Sequence, residues 1–226
     1  MTEGEGSDGA GAPRTRRADW FFDVVSPYSY LQLPLFERLP ANLVVRPRPV
    51  LFAGLLKHWG QLGPAEIVPK RLHTYRMCVW LAAERGVPFK LPPAHPFNPL
   101  KAQRLLAAIG APLAAVRGAF DLVFAEGRDP NEPSAWRALC ERLGVPDGEA
   151  IAASQEAKDA LRAATDEAIA HGVFGVPTFL IDGEAFWGNE SFAMLQAYLR
   201  DPGLLKRGEM ARAATLPMGV TRKAPA

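Results

Sequence analysis

The sequence predicts an α/β fold in which a small sheet is split by a long helical insertion, and three observations predict it. Residues 18–25 form an aromatic and β-branched run near the start of the chain. Residues 52–169 are rich in Ala, Leu, Arg and Glu with helical spacing. At 178–187 the pattern returns to short apolar strands around a strong turn signal, so the halves of one sheet flank the helices. With 226 residues, 48% of them hydrophobic and 22% charged, the chain can bury a core without disulfide staples, and collagen-like, disordered and coiled-coil classes are excluded.

The elements follow in order. Residues 18–25, Ala-Asp-Trp-Phe-Phe-Asp-Val-Val, read as a buried strand that Ser26-Pro27 breaks. Residues 28–39 have helical apolar spacing and are closed by Pro40. In 43–50, Leu43, Val45, Pro47 and Pro49 alternate against Val44, Arg46, Arg48 and Val50; two prolines, which cannot donate to a ladder, make this an imperfect or edge strand. Helices are expected over 53–59, 69–86, 99–109, 112–126, 134–143 and 156–170, separated by Pro and Gly. Residues 178–181 are a short strand, Asp182-Gly183 a hairpin turn and 184–187 the partner strand. A closing helix over 191–199 sets Phe192, Leu195 and Leu199 on one face. From Gly203 onward no core pattern is present, and the chain has no internal repeat.

Charge narrows the function classes. The net charge is +2, but residues 1–17 are neutral, residues 204–226 carry +4, and residues 18–203 hold 18 basic and 20 acidic side chains. A basic tail on a slightly acidic body argues against a nucleic-acid-binding body. The start of the chain shows no signal-peptide pattern and no apolar run is long enough to cross a bilayer, so a cytoplasmic protein is expected. Gly4-Glu5-Gly6-Ser7-Asp8-Gly9 matches a dinucleotide-binding string, yet no strand precedes it and no helix follows. Asn189-Glu190-Ser191 is a formal glycosylation acceptor that counts for nothing without secretion. Cys78 and Cys140 form neither a CxxC nor a zinc pattern, and His95, His171 and the carboxylates show no metal-ligand spacing, so no metal is expected.

Three places can carry chemistry. Ser26, in Ser26-Pro27-Tyr28-Ser29, is either an ordinary N-cap or a hydroxyl beside outward-pointing amides at the positive end of a helix. In Val173-Phe174-Gly175-Val176-Pro177-Thr178-Phe179, Pro177 is either a trans strand starter or a cis residue that offers the Val176 backbone to an extended ligand. In Trp187-Gly188-Asn189-Glu190, either Asn189 or Ser191 caps the last helix with Glu190 in its first turn, or the turn receives the ammonium and carboxylate of a ligand. Lys57, His58, Arg71, His73 and Arg76 cluster at the start of the insertion and read as a solvated helix face.

Taken in order, these motifs resemble the 2-hydroxychromene-2-carboxylate isomerase family, which is close to kappa-class glutathione transferases and DsbA-type thioredoxin-fold proteins. The resemblance rests on 22–31 (Phe-Asp-Val-Val-Ser-Pro-Tyr-Ser-Tyr-Leu), on Arg48-Pro49-Val50-Leu51 with Lys57, on Gly86-Val87-Pro88-Phe89 and Pro96-Phe97-Asn98, and on the Val176 and Asn189 motifs. It implies a thioredoxin-like fold with an inserted all-helical domain: a disordered leader over 1–17, the thioredoxin-like domain over 18–51 and 171–200, the helical domain over 52–170 and a tail over 201–226. It also implies glutathione as cofactor, an aromatic carboxylate substrate and a possible homodimer, with no membrane or nucleic-acid partner.

In redox relatives Ser26 and Ser29 would be the two cysteines of CxxC. Serine cannot form a disulfide, so the resemblance implies a thiol borrowed from the ligand. By motif, Ser26 would donate to the glutathione sulfur, Val176 would pair with its cysteinyl part beside a cis Pro177, and Asn189 and Glu190 would receive the γ-glutamyl end. Lys57 would bind the substrate carboxylate or developing negative charge, and Phe52, Trp59 and Phe97 would wall the ring pocket. Gln61 stands where family members often carry Asn, and Glu190 where Asp is common. The expected function is glutathione-dependent cis–trans isomerisation between 2-hydroxychromene-2-carboxylate and trans-o-hydroxybenzylidenepyruvate-type compounds. The alternatives are a kappa-like glutathione transferase and a non-catalytic glutathione-binding protein.

Overall fold

The computed structural model describes residues 15–220; the expected leader lies outside them except for residues 15–17, as does the end of the tail. The chain divides into two compact units between Asn189 and Glu190. The first unit holds a four-stranded sheet in the order β2-β1-β3-β4, formed by β1 (Arg16–Phe22), β2 (Leu43–Pro49), β3 (Thr178–Ile181) and β4 (Glu184–Trp187). β1 runs parallel to β2, with Trp20 opposite Pro47 and Phe22 opposite Pro49. β1 is antiparallel to β3, and β3 to β4. β2 is an edge strand, where proline's missing donor is tolerated. Asp182 and Gly183, at φ 53° and 84°, make the tight turn that the Asp-Gly pair predicts.

The continuous apolar run in β1 reflects burial on both faces of the sheet. Phe21 packs with Val50, Leu55, Ala168, Val173, Val176 and Leu180 on one side. On the other, Trp20 stacks on Phe22 with ring centroids 4.9 Å apart and meets the edge of Phe36 at 5.0 Å. Phe120 joins that cluster 5.7 Å from Phe22. Each such ring contributes roughly 1.5–3 kcal/mol by leaving water.

Between β1 and β2 lies α1 (Pro27–Gln32), followed by a 3₁₀ segment, Leu33–Arg38. Between β2 and β3 every regular element is a helix: α2 (Phe52–Trp59), α3 (Val68–Glu84), α4 (Leu100–Ala108), α5 (Leu113–Phe120), α6 (Pro133–Leu143), α7 (Gly148–Ala153) and α8 (Gln155–Ala170). The second unit contains α9 (Phe192–Arg200) and α10 (Gly208–Ala213). α9 buries Phe192, Leu195 and Tyr198, with Leu199 less buried, and α10 buries nothing.

Three expectations change. The first strand ends at Phe22 and not at Val25, because Ser26 N–H bonds to the Asp23 carbonyl at 2.9 Å and closes a turn. The helix expected over 28–39 gives way to 3₁₀ geometry at Leu33, where Pro34 lacks the N–H that would extend the α-helix. The helix expected over 112–126 ends as a wide turn, Asp121–Ala125, with Glu126 N–H reaching back five residues to the Asp121 carbonyl.

Candidate active site

The end of β1 and the start of α1 set the site. Asp23 is fully buried. Its Oδ1 accepts the Val25 N–H at 3.0 Å and its Oδ2 the Phe52 N–H at 2.9 Å, so one carboxyl ties the Ser26 loop to the first residue of α2. Burial pushes this carboxyl up to about 7, against the lowering effect of the two backbone donors. Gln103 of α4, also fully buried, braces the same strand ends. Its Nε2 donates to the carbonyls of Phe22 and Val50 at 3.1 and 2.8 Å, and its Oε1 accepts the Val24 N–H at 3.3 Å.

Ser26 is the N-cap of α1, and its Oγ accepts the Ser29 N–H at 3.2 Å. The cap uses the oxygen's acceptor side and leaves the hydroxyl proton available for a ligand. The amides expected to face outward are spent inside the turn, since Ser29 N–H and Tyr30 N–H both reach the Ser26 carbonyl, at 3.1 and 3.3 Å. With six residues, α1 offers little macrodipole, and the Ser26 hydroxyl is the polar group it presents. The Ser29 hydroxyl is buried with no hydrogen-bond partner among the described residues.

Ser26 and Asp23 line a cavity of about 460 Å³ whose walls include Phe52, Leu56, Tyr75, His95, Phe97 and Val176. Several prolines complete a surface that suits a flat aromatic body. No Lys or Arg is among the described residues that line it. His95, before a cis proline, places Nε2 2.7 Å from the Val25 carbonyl. A carbonyl only accepts, so Nε2 carries the proton. Burial holds the imidazole below its usual pKa, leaving Nδ1 as an acceptor, and the one proton of the Tyr75 hydroxyl is shared between Nδ1 at 2.8 Å and the His95 carbonyl at 2.7 Å.

Val176, which lines the same cavity as Ser26, precedes Pro177 through a cis peptide. Neither the N–H nor the C=O of Val176 has a hydrogen-bond partner among the described residues. The segment around it is held firmly: Gly188 N–H bonds to the Pro177 carbonyl at 2.8 Å, and the Thr178 hydroxyl to the Gly175 carbonyl at 2.7 Å. A Cβ on Gly175 would fall 2.6 Å from the Trp187 indole nitrogen, so the indole's close approach requires glycine there.

The remaining expected residues fall elsewhere. Phe52 and Phe97 line the cavity, but Trp59 donates instead to the Val173 carbonyl at 3.0 Å. Asn189 does not cap α9, whose N-cap is Ser191. Its Nδ2 donates to the Tyr28 carbonyl at 2.8 Å and its Oδ1 accepts from Arg85 at 2.6 Å, so it ties the turn after β4 to α1. Glu190 is exposed and begins the second unit. Lys57 and Gln61 are exposed and outside the cavity lining, although Lys57 lies one helical turn beyond the lining residue Ala53. Both cysteines are free and buried, and burial pushes the Cys78 thiol up to about 12.

Asp23, Gln103, His95 and Tyr75 were not singled out by sequence as a group. Asp23 stood inside the quoted motif, and a carboxylate between Phe22 and two valines was the available signal. The histidine and tyrosine, twenty residues apart, gave none.

Residues 17–200 match the DSBA-like thioredoxin domain. The chain is similar to a 2-hydroxychromene-2-carboxylate isomerase of Sphingobium xenophagum, 30% identical over 83% of this chain and 100% of that protein. It is also similar to glutathione S-transferase kappa 2 of Caenorhabditis elegans, 28% identical over 84% and 94% of the two chains. A solved structure of a 2-hydroxychromene-2-carboxylate isomerase superposes with a TM-score of 0.71 at 25% identity, covering 89% of this chain and all of the other. The family read from the Ser26 and Val176 motifs is the one these comparisons return, and the fold is the DsbA-like thioredoxin fold.

Proposed function

Because the chain belongs to the DSBA-like thioredoxin domain family, we propose that it is a glutathione-dependent cis–trans isomerase of chromene-carboxylate-type aromatic compounds. The observation that carries this reading is a pairing. The Ser26 hydroxyl and the unpartnered backbone of Val176 border one apolar cavity in which the protein supplies no thiol of its own. Glutathione would extend along Val176 and bring its sulfur to Ser26, whose proton would stabilise the thiolate. The thiolate adds to the conjugated carbon of the ring-opened substrate and turns a fixed double bond into a rotatable single one. Rotation and elimination release the trans isomer and the thiol.

The aromatic ring suits the Phe52, Tyr75 and Phe97 walls. The substrate carboxylate finds no cation in the lining and must face the mouth. Two cations stand one helical turn from lining residues: Lys57 from Ala53, and Arg71 before Thr74 and Tyr75. Arg71 is half-buried, and the one hydrogen bond of its guanidinium among the described residues is a long one, 3.5 Å, to the carbonyl of the lining residue Ala65. Asn189, which already holds Tyr28 and Arg85, would serve the γ-glutamyl end through its remaining donor, with Glu190 beside it in sequence.

The test is turnover of a chromene carboxylate with and without glutathione, followed by ultraviolet absorbance, in the wild type and Ser26→Ala. Glutathione-dependent turnover that falls roughly 100-fold in the variant is expected. Turnover without glutathione, or an unaffected variant, overturns the mechanism. The kappa-class relative gives the transferase reading a specific basis, and conjugation of a chlorinated nitroaromatic without isomerisation would favour it. Glutathione binding with neither activity would indicate a binding protein.

A further inference from the structure

Asp23 is used by none of the steps above, yet its placement is unusual. It is fully buried, it lines the cavity with Ser26, and no ion pair reaches it among the described residues. Each carboxyl oxygen holds one main-chain N–H, from Val25 and Phe52, which leaves each oxygen a lone pair. Its own carbonyl fixes the Ser26 N–H, so the carboxyl and the serine hydroxyl are parts of one rigid turn. The other titratable groups lining the cavity are Tyr28, whose side chain bonds to Cys78, Glu66, Tyr75 and His95. Glu66 is exposed and holds the Gly63 N–H, and Tyr75 and His95 are bonded to each other. Among these titratable groups Asp23 is the fully buried one, with acceptor capacity left on each oxygen and main-chain partners alone.

We propose that Asp23 is the proton acceptor for the thiol of the bound cofactor, storing that proton within the cavity during turnover. This rests on the glutathione reading of the site. The S–H bond breaks as glutathione docks against Ser26, the proton passes to an Asp23 oxygen, and its electron pair stays on sulfur. Sulfur then bonds to the substrate carbon. On elimination the S–C bond breaks, and the carboxyl returns the proton if glutathione leaves. No oxidant, reductant or net proton exchange with solvent is needed. The buried carboxyl, pushed up to about 7, is matched to such a task near neutral pH, and carboxyl and thiol titrate as a coupled pair.

Calorimetry of glutathione binding in buffers of different ionisation heat, at about pH 8 where free Asp23 is ionised, counts the protons exchanged. The wild type is expected to bind glutathione as thiolate, seen by its ultraviolet absorbance, with almost no proton released. A protonated-carboxyl infrared band should appear on binding glutathione and stay absent with S-methylglutathione, which has no thiol proton. Asp23→Asn should release close to one proton per thiolate formed and lose about 100-fold in turnover. Thiolate formation in the wild type with a full proton released, or with no new carboxyl band, overturns the proposal while leaving the glutathione reading intact. Absence of any glutathione binding overturns both. The wild-type measurements decide the matter even if the variant does not fold.

Discussion

Two of the helices that border the cavity, α1 and α3, are built in opposite ways. α1 buries five of its six residues and is held by side chains from distant parts of the first unit. Gln32 accepts from Trp20 at 2.6 Å and donates to the Gly188 carbonyl at 2.9 Å, Asn189 holds the Tyr28 carbonyl, and Arg85 the Leu31 carbonyl. α3 buries only Cys78 and Ala82 of its seventeen residues. It exposes Val68, Leu72, Val79 and Trp80 and carries Lys70, Arg71, His73 and Arg76 before its first acid, Glu84. The difference teaches a division of labour. On the proposed reading, the wall that would hold the reacting sulfur is over-determined by buried hydrogen bonds, whereas the wall that would meet the substrate is a cationic, weakly anchored surface.

The largest test of this contrast is pH. Asp23 is raised from 3.8 to about 7 in the folded protein, so between about pH 4 and pH 7 the native state holds a proton that the unfolded chain has lost. This group's contribution to stability is complete below about pH 4, declines as pH rises toward 7, and is flat above it. The loss amounts to as much as ~4 kcal/mol. Other carboxylates run the opposite way, among them Glu126, held low by Arg142, so the wild type must be compared with Asp23→Asn across the same window. Urea unfolding is expected to show a difference that slopes with pH below 7 and levels off above it. A constant difference would mean that the rigid wall does not depend on an uncharged Asp23.

The second test removes a brace without touching the cavity. Gln103→Leu keeps the side-chain volume but deprives the Val24 N–H and the Val50 carbonyl of a partner. Leaving two buried backbone groups unpaired is expected to cost ~2–4 kcal/mol in urea unfolding. Activity should fall with it, because the same strand ends position Ser26. A loss of stability without loss of activity would show that α1 keeps its geometry through the Asp23, Gln32 and Asn189 contacts alone.

What was legible in the sequence follows the same division. The sheet was readable because apolar runs, prolines at 47 and 49 and the Asp-Gly turn are local signals, and their order placed β1 to β4 correctly. The N-cap at Ser26 and the proline after Val176, which proves cis, were visible because each sits within a motif that neighbouring residues constrain. The braces were not. Gln103 lies 79 residues from Val24 and Asn189 lies 161 from Tyr28, and a buried amide carries no periodic mark before folding brings its partners together. The same holds for Trp59, read as a pocket wall by its aromaticity, whose indole N–H is drawn to the Val173 carbonyl 114 residues away. Pro34 was a local signal that the apolar spacing of 28–39 outweighed; the 3₁₀ turn shows that the missing N–H prevailed.

The smallest expected effect probes the substrate wall. Arg71 and Lys57 have no carboxylate within ion-pair distance among the described residues, and each stands one helical turn from residues that line the cavity, whose lining also holds the exposed carboxylate of Glu66. At an exposed rim such a charge is worth about 0.5–1 kcal/mol toward a bound anion, or roughly 2–5-fold in affinity. Arg71→Ala and Lys57→Ala should therefore raise KM for a chromene carboxylate by about that factor each, with kcat nearly unchanged. The penalty should shrink as salt is added, since charges on the rim are screened over about 10 Å at 0.1 M. Stability should hardly move, because Lys57 is exposed and the Arg71 guanidinium makes one long hydrogen bond. If either variant instead lowers kcat with KM unchanged, that cation acts on charge that develops in the transition state, and the substrate wall takes part in the chemistry that the contrast assigns to α1.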